Sequence, residues 1–169
     1  MSPASSVADP LVIRRARPDD IALILCLLRE LADYEKLLHE FEATEQMIAS
    51  ALFGEHPKLS CEIAAWHGED AGFAVWFNNF ATFSGRPGIY LEDLFVRPAY
   101  RGKGIGKALL AHLARECLAN GWSRLQWSVL DWNAPSIAFY RSLGAELMDE
   151  WTLCRVQGSA LTALAKAVP

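Results

Sequence analysis

The chain has 169 residues, is 52% apolar and 21% charged, and carries a formal net charge of −4. That is enough chain and enough apolar content to bury a core, and the acidic balance argues against a nucleic-acid binder, which normally shows a basic face. Cys26, Cys61, Cys117 and Cys154 are too widely spaced for a zinc or redox motif and are expected to pack as small hydrophobes, and His39, His56, His67 and His112 form no metal-binding spacing.

Residues 1–10 are expected to be a flexible tail, since they lack the basic start and apolar stretch of a signal peptide. No apolar run approaches the ~18 residues of a membrane span, so the expectation is a cytoplasmic protein with no membrane partner. Residues 11–169 are expected to form one domain. Residues 11–14 read as a first strand. Pro18, Asp19 and Asp20 then start a helix, with acids at the positive end of its dipole. Its stripe is Ile21, Ile24, Leu25, Leu28, Leu31 and Ala32, and it runs out near Tyr34 and Glu35. Thr44 caps a second helix, with Met47, Ile48, Ala51 and Leu52 on its inner face.

Residues 60–67, 71–83 and 89–96 read as three strands joined by turns. A glycine loop and a helix over 105–118 come next, closed by Asn120 and Gly121. A strand is expected over 124–130. Asn133 and Pro135 open another helix carrying Ile137, Phe139, Tyr140 and Leu143. Residues 145–147 and 151–156 look like a closing pair of strands, and 159–168 like a short helix, with strand as the alternative. Most of the six tryptophans are expected in the core. Hairpins and crossovers together predict an α/β fold, a mixed sheet covered by helices.

The densest stretch is 90–107. A strand interrupted by Glu92 and Asp93 runs into Arg101-Gly-Lys-Gly-Ile-Gly-Lys107 and then straight into a helix. Glycines allow close backbone approach, and a helix start leaves N–H groups unpaired, so the segment reads as an anion cradle. A Walker A loop would need glycine at Arg101 and Ser or Thr at Ala108; a dinucleotide fingerprint would need glycine at Lys107. Both patterns fail, which leaves Arg-x-x-Gly-x-Gly at Arg101, Gly104 and Gly106 as a pyrophosphate cradle. Neighbouring strand residues face opposite sides, so one of the two acids should face a cleft and the other a helix. Glu92 is the better proton acceptor, while a structural salt bridge is an equal alternative for Asp93. Tyr140 on an apolar helix face is first read as core, and Trp151 beside Glu150 as a wall suited to a cation.

The segments 90–96 and 101–106, with Trp132-Asn-Ala-Pro-Ser-Ile-Ala-Phe-Tyr-Arg-Ser-Leu-Gly-Ala145, resemble the Gcn5-related N-acetyltransferases (GNAT). Glu30-Leu-Ala-Asp-Tyr-Glu35, Phe53-Gly-Glu-His-Pro57 and Gly72-Phe-Ala74 resemble the diamine (spermidine/spermine) branch of that family. The resemblance implies a mostly antiparallel twisted sheet with helices on both faces, whose splayed central strands are 89–96 and 124–130. Pantetheine would pair with the backbone of Leu94, Phe95 and Val96, one N–H of Phe95 or Val96 polarising the thioester carbonyl. Arg101, Gly102, Lys103, Gly104, Ile105, Gly106 and Lys107 would hold the pyrophosphate of acetyl-CoA, and Asn133, Pro135 and Ser136 its outer path. Tyr140 would be the general acid, a phenol of ordinary pKa ~10 being protonated at neutral pH. Glu92 would deprotonate the amine, with Tyr34, Glu35, Glu150 and Trp151 around it and no metal. The resemblance also implies a homodimer.

The turn before the central strand departs from the polyamine pattern, carrying Thr82 and a basic Arg86 where acids are expected. A short diamine or a thialysine-like amino acid fits this better, with Arg86 near a carboxylate. The reading is an acetyl-CoA-dependent N-acetyltransferase acting on a small amine by direct transfer. The alternatives are a protein or peptide N-acetyltransferase and a non-catalytic acyl-CoA-binding module.

Overall fold

A computed structural model describes residues 9–167, so most of the expected tail lies outside the described residues. The chain divides into two compact units, residues 1–128 and 129–169. The first holds β1 (Leu11–Arg15), α1 (Ile21–Tyr34), α2 (Glu45–Phe53), β2 (Ser60–Trp66), β3 (Glu69–Ala81), β4 (Arg86–Val96), α3 (Ile105–Ala119) and β5 (Leu125–Trp127). The second holds α4 (Ala134–Ser142) and α5 (Gly158–Lys166). The five strands lie in sequence order; β1 to β4 pair antiparallel, and β5 joins β4 in parallel after the α3 crossover.

Local chemistry accounts for the helix starts. A 3-10 turn over Pro18–Asp20 leads into α1. Asp20 accepts the Arg17 N–H at 2.7 Å and grips the Arg14 guanidinium at 2.7 and 2.8 Å, tying that start to β1. Thr44 Oγ1 accepts the Met47 N–H at 3.3 Å and caps α2 as expected. Met47 itself points outward, 60% exposed, and Leu52 is the buried anchor of that helix. The α1 stripe buries Ile24, Leu27 and Leu31 with Cys61, Ile63, Phe73, Val75 and Phe95 of the sheet.

Strand alternation sends Glu62 and Trp76 to the other sheet face, which α3 covers with Ile105, Leu109, Leu110, Leu113 and Cys117 buried. Glu62 is fully buried there, a carboxylate that needs partners. Arg15 Nη1 lies 2.9 Å from Oε1, the Trp76 indole N–H donates to Oε1 at 3.3 Å, and His112 Nε2 of α3 lies 3.6 Å from Oε2. One side chain therefore joins β1, β2, β3 and α3.

Strand β4 is asymmetric. It pairs with β3 over its whole length except at Glu92, because Val75 faces Asp93 and Trp76 faces Leu91. Glu92 is thus the extra residue of a β-bulge. On its other side β4 pairs with β5 only at Ile89, Tyr90 and Leu91. The Tyr90 and Ser128 hydroxyls meet at 2.7 Å where that ladder stops.

Several expectations are corrected. β5 spans three residues rather than the seven of 124–130. Residues 145–147 and 151–156 form no strands, and 151–156 are exposed throughout. A strand needs a neighbour for its backbone groups, and the described residues of the second unit contain only helices. Cys26 and Cys154 are exposed, while Cys61 and Cys117 pack as expected. Among the tryptophans only Trp76 is buried, and Trp151 is 76% exposed. The C-terminal segment forms α5, the helical alternative.

Glu62→Ala leaves the Trp76 N–H buried without its acceptor and Arg15 without its carboxylate. It is expected to lower the free energy of unfolding by about 3 kcal/mol, measured by urea titration. A loss below about 0.5 kcal/mol would show that the cluster is not a structural hub.

Candidate active site

The glycine loop opens with a 3-10 turn over Pro98–Tyr100 and then Arg101 in extended conformation. Gly102 and Gly104 sit at φ +76° and +79°, backbone that side chains rarely adopt, and space around both is open. Gly104 is the N-cap of α3 and has no side chain to offer, so no side-chain oxygen caps the first-turn amides. The donors at the positive end of α3 fit an anionic group. The cations of the loop are disposed unevenly. Lys103 Nζ sits 5.7 Å above the Trp66 ring. Arg101 turns back, its guanidinium 4.6 Å from the Tyr34 ring and 5.8 Å from that of Phe95, while its Nε–H donates to the Val96 carbonyl at 2.9 Å.

The open side of β4 begins beyond Leu91. The Arg97 N–H donates across to Ala71 of β3 at 2.9 Å. Antiparallel alternation then turns Phe95 toward β3 as well, and leaves the backbone groups of Leu94 and Val96 facing the open side. Of the two N–H groups expected to polarise a thioester, geometry favours that of Val96.

The bulge changes the fate of the two acids. Glu92 is exposed, while Asp93 turns to the α1 face and lines a cavity of about 220 Å³ with Glu35, Leu28, Leu31, Leu37 and Phe41. No ion pair within 4.0 Å engages Asp93 among the described residues, so the salt-bridge alternative is not realised. Burial, then the charges of Glu92 and Glu35, push the Asp93 carboxyl up from 3.8 to about 7. Burial also raises Glu35. Three carboxylates, those of Asp93, Glu35 and Glu40, line this largely apolar cavity, an arrangement that favours an incoming cation. A larger groove of about 590 Å³ runs along α2 past Thr44, Met47 and His56 and contains none of the expected site residues.

In the second unit, Asn133 Oδ1 accepts the Ser136 N–H at 3.3 Å with Pro135 in the first turn, as expected for the start of α4. Tyr140 is buried on that helix with its ring centre 5.4 Å from that of Phe139. Glu150 and Trp151 are exposed in a segment without regular structure. Thus Tyr34, Glu35, Glu92, Leu94, Phe95, Val96 and residues 101–107 belong to one unit, and Asn133, Pro135, Ser136, Tyr140, Glu150 and Trp151 to the other.

Residues 26–145 match the acetyltransferase (GNAT) family. The chain belongs to that family. It is 38% identical over 165 residues to a thialysine N-epsilon-acetyltransferase of Bos taurus, covering 91% of this chain and 96% of that protein. It is 33% identical over 199 residues to an L-ornithine N5-acetyltransferase of Arabidopsis thaliana, covering 91% and 87%. A solved integron cassette protein from V. cholerae superposes with a TM-score of 0.80 at 31% identity, covering 95% of this chain and 100% of that one. The five-stranded mixed sheet, with helices on both faces, is the GNAT fold expected from the residues, and the chain is an N-acetyltransferase.

Sequence reasoning underrated Asp93 in this GNAT chain. The available signal was an acid within an apolar strand opposite the apolar stripe of α1; the bulge that aims it there has no sequence signature. Its raised pKa has a consequence for stability. The folded chain keeps the Asp93 proton up to about 7 and the unfolded chain releases it near 3.8. Between those values the folded state binds more protons, so stability falls as pH rises. The unfolding midpoint of the wild type, relative to Asp93→Asn, should drop from about pH 4 to about pH 7 and level off above. A constant difference across that window would show that the carboxyl ionises normally.

Proposed function

We propose that this chain moves the acetyl group of acetyl-CoA to the primary amine of a small molecule, in one step within a ternary complex. The observation that carries the reading is the cavity lined by Asp93 and Glu35, neither of them in an ion pair among the described residues, beside the open side of β4. An ammonium group supplies the missing charge. The acceptor class is a diamine, polyamine or thialysine-like amino acid. The named relatives act on thialysine and ornithine, which weights the reading toward an amino acid with a side-chain amine.

Acetyl-CoA supplies the activated thioester. The open glycine cradle at the start of α3 fits its pyrophosphate, with the loop from Arg101 to Lys107 around it; the family resemblance would add Asn133, Pro135 and Ser136 to the cofactor's path. Val96 N–H donates to the thioester carbonyl oxygen, where negative charge develops. Glu92 takes a proton from the ammonium, directly or through water, which frees the nitrogen to bond to the acetyl carbon. Tyr140 gives a proton to the departing sulfur. Tyr34, Glu35, Glu150 and Trp151 line the amine side. Arg86 opens β4 six residues before Glu92, about 20 Å along an extended strand. A lysine-length amino acid between two extended side chains covers that distance, so Arg86 near its carboxylate stays part of the proposal.

The reading takes residues 11–169 as one working domain in a cytoplasmic homodimer. The exposed, unpaired apolar segment over 151–156 supports a second chain as its cover. Light scattering checks this, a monomer at micromolar concentration being the contrary result. The chemistry is tested by thiol release from acetyl-CoA with putrescine, spermidine, ornithine, lysine and thialysine. Turnover is expected with at least one amino acid of the set, and tight acetyl-CoA binding without turnover on any amine would overturn the reading. Tyr140→Phe is expected to lower kcat by ~10- to 10⁴-fold with acetyl-CoA binding intact; unchanged kcat would remove Tyr140 from the mechanism.

A further inference from the structure

Arg101 stands in the loop that cradles an anion, yet its side chain does not point along that loop. Three contacts fix it. Its Nε–H donates to the carbonyl of Val96, the last residue of β4, at 2.9 Å. Its guanidinium carbon lies 4.6 Å from the centre of the Tyr34 ring and 5.8 Å from that of Phe95. Tyr34 is the last residue of α1, and Glu35, its C-cap, lines the carboxylate cavity. The chain turns sharply at once, with Lys36 at φ +63°. That is a strained conformation for a residue with a side chain, and it persists only where its surroundings hold it. The turn closes on its own backbone through Glu35 to Leu31, Lys36 to Asp33 and Leu37 to Ala32 at 2.8–3.0 Å; Arg97, just after β4, holds Glu30 one turn earlier in α1 at 2.7–3.1 Å, which leaves the last residues of the helix to Arg101.

We infer that Arg101 is a positioning residue for the acceptor: it fastens the C-terminal end of α1, with Tyr34 and Glu35, to the end of β4, so that amine affinity depends on a residue of the glycine loop. The inference rests on the amine site proposed above and deepens it. The chemistry requires arginine. A planar guanidinium donates through Nε in its plane while presenting a flat face to an aromatic ring; a lysine ammonium carries the charge and can make one such contact, as Lys103 does with Trp66, but not both at once. Charge neutralisation of a pyrophosphate and fastening of α1 therefore part company in Arg101→Lys.

The test uses two donors, acetyl-CoA and S-acetyl-pantetheine, which carries the thioester without a pyrophosphate. Arg101→Lys is expected to raise the amine KM by roughly 10-fold with both donors while kcat changes little. Tyr34→Ala is expected to raise it too, and the double variant to fall short of the product of the two single effects, since both variants lose the Arg101–Tyr34 contact. A rise confined to the KM of acetyl-CoA, or an amine defect that vanishes with S-acetyl-pantetheine, overturns the inference in favour of a pyrophosphate clamp. Amide hydrogen exchange gives a readout that needs no turnover. In the ligand-free protein, Arg101→Lys should speed exchange at residues 35–37 and leave the middle of α1 unchanged. Equal protection at 35–37 in both proteins overturns the inference even if no amine is ever acetylated, so its failure is separable from failure of the amine reading.

Discussion

Strand β4 is paired along nearly all of one side and along three residues of the other, and the site depends on that imbalance. Had β5 followed β4 to Val96, the backbone groups of Leu94 and Val96 would be consumed by a ladder. Because it stops at Trp127, a short stretch of β4 edge remains outside any ladder, with the Leu94 groups and the Val96 N–H on it and the Val96 carbonyl taken by Arg101. An exposed edge invites pairing. Here the invitation is narrow and sits between an anion cradle and an acidic cavity, which suits a long thioester rather than another sheet.

The bulge at Glu92 adds the second ingredient. One extra residue rotates the rest of β4 so that Asp93 joins the α1 face while Glu92 stays in solvent. The cost of burying Asp93 appears as a proton held to about pH 7. A cation would relieve a carboxylate held in this way, which is the basis of the amine site proposed above. Arg101 and Lys103 are occupied by aromatic rings, which keeps two positive side chains of the loop from filling that role.

Much of this was legible from residue order. The glycine loop ahead of α3 and the Thr44 and Asn133 caps are local signals, and each formed as read; the α1 stripe did so in part, since the fully buried Leu27 lies outside the residues read for it. What stayed hidden depends on pairing. The register that isolates Glu92, the early end of β5 and the failure of 151–156 to become a strand are decided by which backbone lies alongside, and hydrophobic alternation carries no record of it. The orientation of Arg101 is of the same kind. A basic residue near glycines suggests a phosphate, whereas its actual partners, Tyr34 and the Val96 carbonyl, come from elements that the fold brings to it. Glu62 was also missed, because a single acid in an apolar strand does not reveal that Arg15, Trp76 and His112 will surround it.

That last cluster reaches beyond cohesion. His112 lies seven residues, two helical turns, after Ile105, so both share one face of α3. A contact at His112 therefore helps the buried Ile105, Leu109 and Leu113 to fix the seat of the helix on the sheet, and with it the position of the first-turn N–H groups. The sheet's buried acid works as a key in a shaft: it helps to seat a part whose working end is elsewhere. Core and cradle are in that sense one mechanical element, joined through α3.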